Sequence, residues 1–187
     1  TLANPTFFER QRLRFSTWNT SRYIFCGENL GTDLWLPRGC VDDCQTWMAE
    51  AGAEVDLVDK RAGGARVAYR FQGDLDAVQK KAVKALLPHD CGVLVAPPGV
   101  GKTVIGCALI ARRKVNTLIL VHRAPLVEQW RSRLGEFPGM KPKEVGILGG
   151  QRRRLSGKVD LAMIQSLAKL DPGDALFSAY GQVIVDE

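Results

Sequence analysis

The stretch CGVLVAPPGVGKTVIGCALIARR, Cys91 to Arg113, decides the reading of this chain. The apolar run Val93, Leu94 and Val95 predicts a buried strand, and Pro97 and Pro98 end it because proline cannot extend a strand ladder. Gly99 and Gly101 permit the backbone angles of a tight loop, and the apolar residues beyond predict a helix whose first turn carries Lys102 and Thr103. In such a loop the backbone N–H groups point inward at the positive end of the helix, where they cradle a polyphosphate. Pro98, Gly99, Val100, Gly101 and Val104 shape the cradle, Lys102 neutralises the outer phosphates, and the Thr103 hydroxyl is placed to ligate Mg2+. This is the pattern of a Walker A loop, with Ala96 where the formal motif begins with glycine.

Reading downstream, Thr117 to Val121 is a β-branched strand, and Pro125 opens a helix with Leu126, Val127, Trp130, Leu134 and Phe137 on one face. That face assigns Trp130 to the core. Glu144 to Leu148 and Val159 to Ile164 are expected as further strands, joined through the Gly149-Gly150 turn and the basic run Arg152, Arg153, Arg154 and Lys158. The run reads either as a solvated loop or as a nucleic-acid contact. The chain closes on QVIVDE, an apolar strand ending in Asp186 and Glu187. A Walker B element has that form: Asp186 holds magnesium through water, and Glu187 orients and polarises the attacking water. Strands alternating with helices after residue 90 predict an α/β fold with a mainly parallel, doubly wound sheet that carries its ligands at the strand C-terminal ends.

Reading upstream, Leu75, Val78, Ala82, Val83 and Leu86 form a helical stripe ended by Pro88. Gln79 lies off its centre and offers paired donor and acceptor for an adenine edge. Gln72 to Asp74 mark the expected boundary between a first block, residues 1–72, and the nucleotide-binding block, residues 73–187. The first block is rich in aromatics (Phe7, Phe8, Phe15, Trp18, Tyr23, Phe25, Trp35, Trp47), which are expected to be mostly core. Asn4-Pro5 predicts a capped helix start, YIFC and DLWL short strands, and Val41 to Ala51 a helix closed by Gly52. EVDLV and ARVAYRF, separated by Gly63-Gly64, predict a hairpin. The result is a small α+β module. Its Arg10, Arg12, Arg14 and Arg22 interleave with the aromatics, which suits either an accessory nucleic-acid grip or a solvated basic face.

At 187 residues with 45% hydrophobic content the chain can build a real core, and its formal net charge of +6 favours an anionic partner. No run is long or apolar enough to cross a bilayer, so no membrane partner is expected and a soluble, cytoplasmic protein is. The 5 cysteines are odd in number and irregularly spaced, unlike a secreted disulfide framework. Cys40 and Cys44, one helical turn apart with Cys26 nearby, form only a weak ligand pattern.

The ordered series LDAVQ, APPGVGKT, LILVHRAPLVEQW, LGG, VDLAMIQSL and IVDE resembles motifs Q, I, Ia, the Gly doublet, Ic and II of superfamily 2 helicases. The flavour is that of the bacterial and phage DEAD/DEAH-type enzymes similar to excision-repair helicases and restriction-enzyme translocase subunits. The resemblance covers residues 75–187 and implies the first RecA-like lobe of a P-loop NTPase. It implies that Gly99, Gly101, Lys102 and Thr103 hold ATP and Mg2+, that Gln79 recognises adenine, and that Asp186 and Glu187 complete the hydrolytic site. It places His122, Arg123, Gly149, Gly150, Gln165 and Ser166 along the nucleic-acid track, where phosphates are held without reading bases. Asp76 stands where relatives often have arginine, and Met163 where many have threonine.

The resemblance further implies a longer parent chain, because the sequence stops as motif II begins. A second RecA-like lobe with its arginine finger is expected there, and this piece alone is expected to bind nucleotide but scarcely turn it over. The expected activity of the parent is that of an ATP-dependent helicase or translocase on nucleic acid, double-stranded DNA above all. The alternative is a nucleic-acid-binding module with a non-hydrolysing nucleotide switch site.

Overall fold

A computed structural model describes residues 2–61, 63–150 and 152–186, without the side chains of Arg38 and Arg152. The chain divides into two compact units, Thr1–Val58 and Asp59–Glu187.

In the first unit, β1 (Leu2–Ala3) pairs antiparallel with β2 (Tyr23–Ile24), and β3 (Glu28–Asn29) with β4 (Leu34–Trp35). Helix α1 (Pro5–Arg12) starts as its sequence dictates: the Asn4 side chain accepts from Thr6 N at 3.1 Å, and Pro5 occupies the first turn, where no N–H is missed. Helix α2 (Val41–Glu50) ends before Gly52, whose φ is +71°. The expected aromatic core is not present. Trp18 is 84% exposed, and Phe15, Tyr23, Phe25, Trp35 and Trp47 are exposed as well; no described residue of this unit is buried. Two-residue strands and two short helices lack the surface to enclose rings of this size.

The second unit begins at Asp59 and so takes in residues 59–72 together with the nucleotide-binding block. The hairpin expected from EVDLV and ARVAYRF does not form. Instead Arg66 makes an isolated antiparallel bridge to Val115, Val67 N donates to Lys114 O at 3.0 Å, and Asn116 N donates to Ala65 O at 2.8 Å. Gly64, at φ +67°, could carry no side chain there, because a Cβ would lie 2.2 Å from Gly181 N.

Helix α3 (Ala77–Leu86) follows, then α4 (Lys102–Arg113), β5 (Thr117–Val121), α5 (Ala124–Glu136), β6 (Val145–Gly149), β7 (Arg152–Arg154), β8 (Val159–Met163), α6 (Ile164–Leu167) and β9 (Gln182–Asp186). The sheet order is β7-β6-β8-β5-β9, with β6, β8, β5 and β9 parallel and β7 antiparallel at the edge. The basic run is therefore strand and not a loop: Gly149-Gly150 turns the chain, and Arg152 to Arg154 return along β6.

Alternation along the strands divides the core. Ile119, Val121 and Leu161 pack with Val127, Trp130 and Leu134 of α5 and with Cys107 and Ile110 of α4. Leu118 and Ala162 face the other way, against Leu148 and Leu176. A third cluster joins α3 to α4 through Leu75, Val83, Ile105 and Ala108, with Val100 and Val104 against it. This is the expected α/β architecture. The strand expected at Val93 to Val95 is not assigned among the described residues; Val93 and Val95 are 85% and 91% exposed. An apolar run specifies burial only if a neighbouring strand offers it a ladder, and no described strand pairs with residues 93–95.

Candidate nucleotide-binding site

The loop Ala96 to Gly101 leads directly into α4. Gly99 and Gly101 sit at φ +90° and +83°, left-handed angles that side chains disfavour, and Gly101 is the N-cap of the helix. Around Gly99 there is open space, with nothing within 4 Å of an added Cβ. Gly101 is crowded, since a Cβ there would meet Gln79 Nε2 at 2.7 Å. Half-buried Lys102 folds over the loop, its Nζ donating to Ala96 O at 2.9 Å. Thr103 is buried in the first turn.

Gln79 reaches the same loop. Its Nε2 donates to Val100 O at 3.0 Å, and its Oε1 accepts from Asp76 N at 3.1 Å while Asp76 Oδ1 accepts from Gln79 N at 2.8 Å. Asp76, unusual in the motif comparison, is thus the N-cap of α3 in a reciprocal capping box.

Asp186 ends β9 at the C-terminal edge of the sheet, opposite Val121 of β5. Its Oδ2 accepts from Trp130 Nε1 at 2.7 Å. The preceding residue, Gln129, donates from Nε2 to Thr103 Oγ1 at 3.3 Å. Two consecutive residues of α5 therefore hold the two side chains expected to ligate magnesium, which brings the first turn of α4 and the tip of β9 to one place. Trp130 is buried as expected, but the periodicity that assigned it to the core missed its hydrogen bond. The signal was available: a buried indole N–H needs an acceptor. Glu187, expected to orient the attacking water, lies outside the described residues.

The donor set fits the cofactor that the motifs imply. A hydroxyl and a carboxylate are hard oxygen ligands suited to magnesium, beside a cation and a glycine loop with room in front of it. Among the described residues no three His, Cys, Asp or Glu side chains come together.

The residues expected along the nucleic-acid track share the same edge of the sheet. Val121 is in register with Met163, and Leu148 with Ala162, which sets His122 and Arg123 just past β5, Gly149 at the last position of β6 with Gly150 beyond it, and Gln165 and Ser166 in α6 directly after β8. Gln165 Nε2 donates to His122 O at 3.1 Å, tying α6 to the residues that follow β5. Arg123 is the exposed N-cap of α5, and Gly150, at φ +62°, is exposed in the turn. A Cβ on Gly149 would meet Met163 Cγ at 2.9 Å, so these two motif positions are packed on each other. No described helix is long and apolar enough to cross a membrane.

Comparison with known proteins bears on the fold and the family. The chain is 37% identical over 84 residues to the DNA 3'-5' translocase XPB2 of Sulfurisphaera tokodaii, covering 45% of this chain and 18% of that protein. It is 28% identical over 158 residues to the putative DNA 3'-5' helicase Rad25 of Halobacterium salinarum, covering 83% of this chain and 26% of that one. The chain thus spans about a fifth to a quarter of the length of these relatives. In fold it is similar to the UvsW helicase of Bacteriophage T4, with a TM-score of 0.65 at 16% identity over 100% of this chain and 72% of that one. Residues 72–187 match the family model described as the res subunit of type III restriction enzymes, which bears out the superfamily 2 resemblance of the motif series. With more than half of its length matched, the chain belongs to the family of the type III restriction enzyme res subunit.

Proposed function

We propose that this chain supplies the ATP-binding lobe of an ATP-dependent helicase or translocase that moves along double-stranded DNA. The observation that carries the reading is the convergence of Thr103 and Asp186 on Gln129 and Trp130, beside a glycine loop capped by Lys102. Lys102 neutralises the outer phosphates, Gln79 braces the loop and offers its amide to adenine, and Thr103 and Asp186 hold the metal. A magnesium ion held there supplies charge neutralisation on the transferred phosphoryl group. Glu187 is the residue that orients the attacking water.

His122, Arg123, Gly149, Gly150, Gln165 and Ser166 form the backbone-holding track in this reading, supported by their shared sheet edge. Gripping phosphates without reading bases is what a motor needs to advance on any sequence. A second RecA-like lobe of the parent chain supplies the arginine finger, and without it turnover falls by about 3 to 5 powers of ten. The test is DNA-stimulated ATP hydrolysis by the full-length parent: Lys102→Ala abolishes it, and unchanged hydrolysis overturns the reading.

A second reading, a nucleic-acid-binding module with a nucleotide switch site, draws on the first unit. The Arg22 guanidinium lies 5.9 Å from the Phe8 ring centroid and 5.7 Å from that of Tyr23, and the rings of Phe15, Trp18 and Phe25 in the same unit are exposed. Stacking surfaces interleaved with cations suit single strands or frayed ends. In this reading Trp18→Ala with Arg22→Ala weakens salt-sensitive DNA binding by the whole chain; retention equal to wild type at low salt removes it.

A further inference from the structure

Gln129 and Trp130 serve acceptors on two different elements, Thr103 Oγ1 of α4 at 3.3 Å and Asp186 Oδ2 of β9 at 2.7 Å. Trp130 is firmly seated, whereas Gln129 is exposed and reaches Thr103 from the surface of α5. Trp130 is 1% exposed, and its ring lies so close to α4 that a Cβ on Gly106 would sit 2.5 Å from Cη2. The chemistry of the donors is specific. An indole N–H only donates and carries no charge, so it orients the carboxylate without cancelling the negative charge that attracts a cation. An arginine or lysine in the same place would compete with the metal for Asp186. One carboxylate oxygen is occupied by the indole, which leaves Oδ1 for a metal-bound water. The Gln129 carboxamide likewise fixes the Thr103 rotamer while remaining neutral.

We propose that Gln129 and Trp130 are positioning residues for the divalent cation, orienting Thr103 and Asp186 through neutral hydrogen bonds. The inference rests on the ATP-binding reading above.

The test separates metal from nucleotide. ADP binding is titrated calorimetrically on the whole chain with and without Mg2+, in wild type, Trp130→Phe, Gln129→Leu and Lys102→Ala. Trp130→Phe keeps the ring and removes the N–H; it leaves metal-free ADP affinity unchanged and raises the Mg2+ needed for half-maximal gain about 10-fold, the low end of losses on removing a partner of a metal ligand. Gln129→Leu acts in the same direction. A Trp130→Phe chain with the Mg2+ dependence of wild type overturns the proposal and leaves the ATP-binding reading standing. Wild type that gains nothing from Mg2+, or Lys102→Ala that binds ADP as well as wild type, overturns both.

Should Trp130→Phe fail to fold, replacing the exposed Trp18, Trp35 and Trp47 by Phe leaves a single indole N–H resonance. That resonance shifts as Mg2+ is added to the ADP-loaded chain, with the half-saturation seen in calorimetry. A resonance that stays in place overturns the proposal.

Discussion

The Gln79 carboxamide donates to the Val100 carbonyl at 3.0 Å, joining α3 to the apex of the glycine loop. The other end of the same amide closes the capping box with Asp76, so one side chain both starts a helix and braces the loop. Gly101 pays for this contact with its freedom to be any other residue: its φ is +83° and its Cβ position is already taken by Gln79 Nε2.

Gln79→Ala therefore acts twice. Loss of the box costs on the order of 1 kcal/mol of stability, read as a shift in the urea midpoint. The unbraced loop binds ATP more weakly, read by calorimetry. Undiminished ATP affinity would show that the contact serves α3 alone.

Gly106→Ala separates packing from helix propensity. Alanine favours an exposed helix interior by about 1 kcal/mol, but here its methyl would lie 2.5 Å from Trp130 Cη2. Because Trp130 is enclosed, the overpacking cost of about 1 to 3 kcal/mol wins and the variant is less stable than wild type. Denaturant unfolding of the two chains checks the sign.

Asp160 is fully buried on β8, and its charge is met by Ser156 N at 2.8 Å, Ser156 Oγ at 2.6 Å, Gly157 N at 2.8 Å and the Tyr180 hydroxyl. Tyr180→Phe removes one of these donors from a carboxylate that cannot reach water. A loss of about 2 kcal/mol is expected, measured by urea unfolding. A neutral effect would mean the remaining donors suffice.

Alkaline pH should destabilise the second unit. Burial pushes the Cys107 thiol up to about 12, and burial with nearby Glu144 and Asp160 pushes the Tyr69 hydroxyl up to about 12. Tyr180 is raised as well, by burial and by its bond to Asp160. Each group keeps its proton longer in the folded chain than in the unfolded one, so the stability they contribute is complete below the unfolded values, roughly 8.5 for Cys and 10 for Tyr. It is lost as pH rises from there toward the folded values. Melting temperature should fall above about pH 9, and Cys107→Ala should flatten the early part of that fall.

The parts legible in the sequence are those encoded by short-range chemistry. The glycine loop, the helix start at Lys102, the strand Thr117–Val121 and the Pro125 helix all stand where periodicity and punctuation placed them. Partnerships between distant segments were less legible. ARVAYRF has the alternation of a hairpin strand, yet Arg66 and Val67 pair with the α4–β5 link, a choice no local pattern encodes. The arginine run became an edge strand because Gly149-Gly150 turned it back on β6, a pairing that charge does not encode, while Arg153 and Arg154 stay exposed as charge alone suggested. The rings of the first unit were assigned to a core that 58 residues with two-residue strands cannot close. At the site, the loop and Asp186 were readable as motifs, while the Gln129-Trp130 link between them required the fold.

The central claim is that the loop around Lys102 grips a triphosphate, and direct binding of ATP with Mg2+ to the whole chain tests it most simply. Wild type should bind with a single site, and Lys102→Ala, with its fold intact by circular dichroism, should lose that binding. Equal affinity in the two chains would contradict the account.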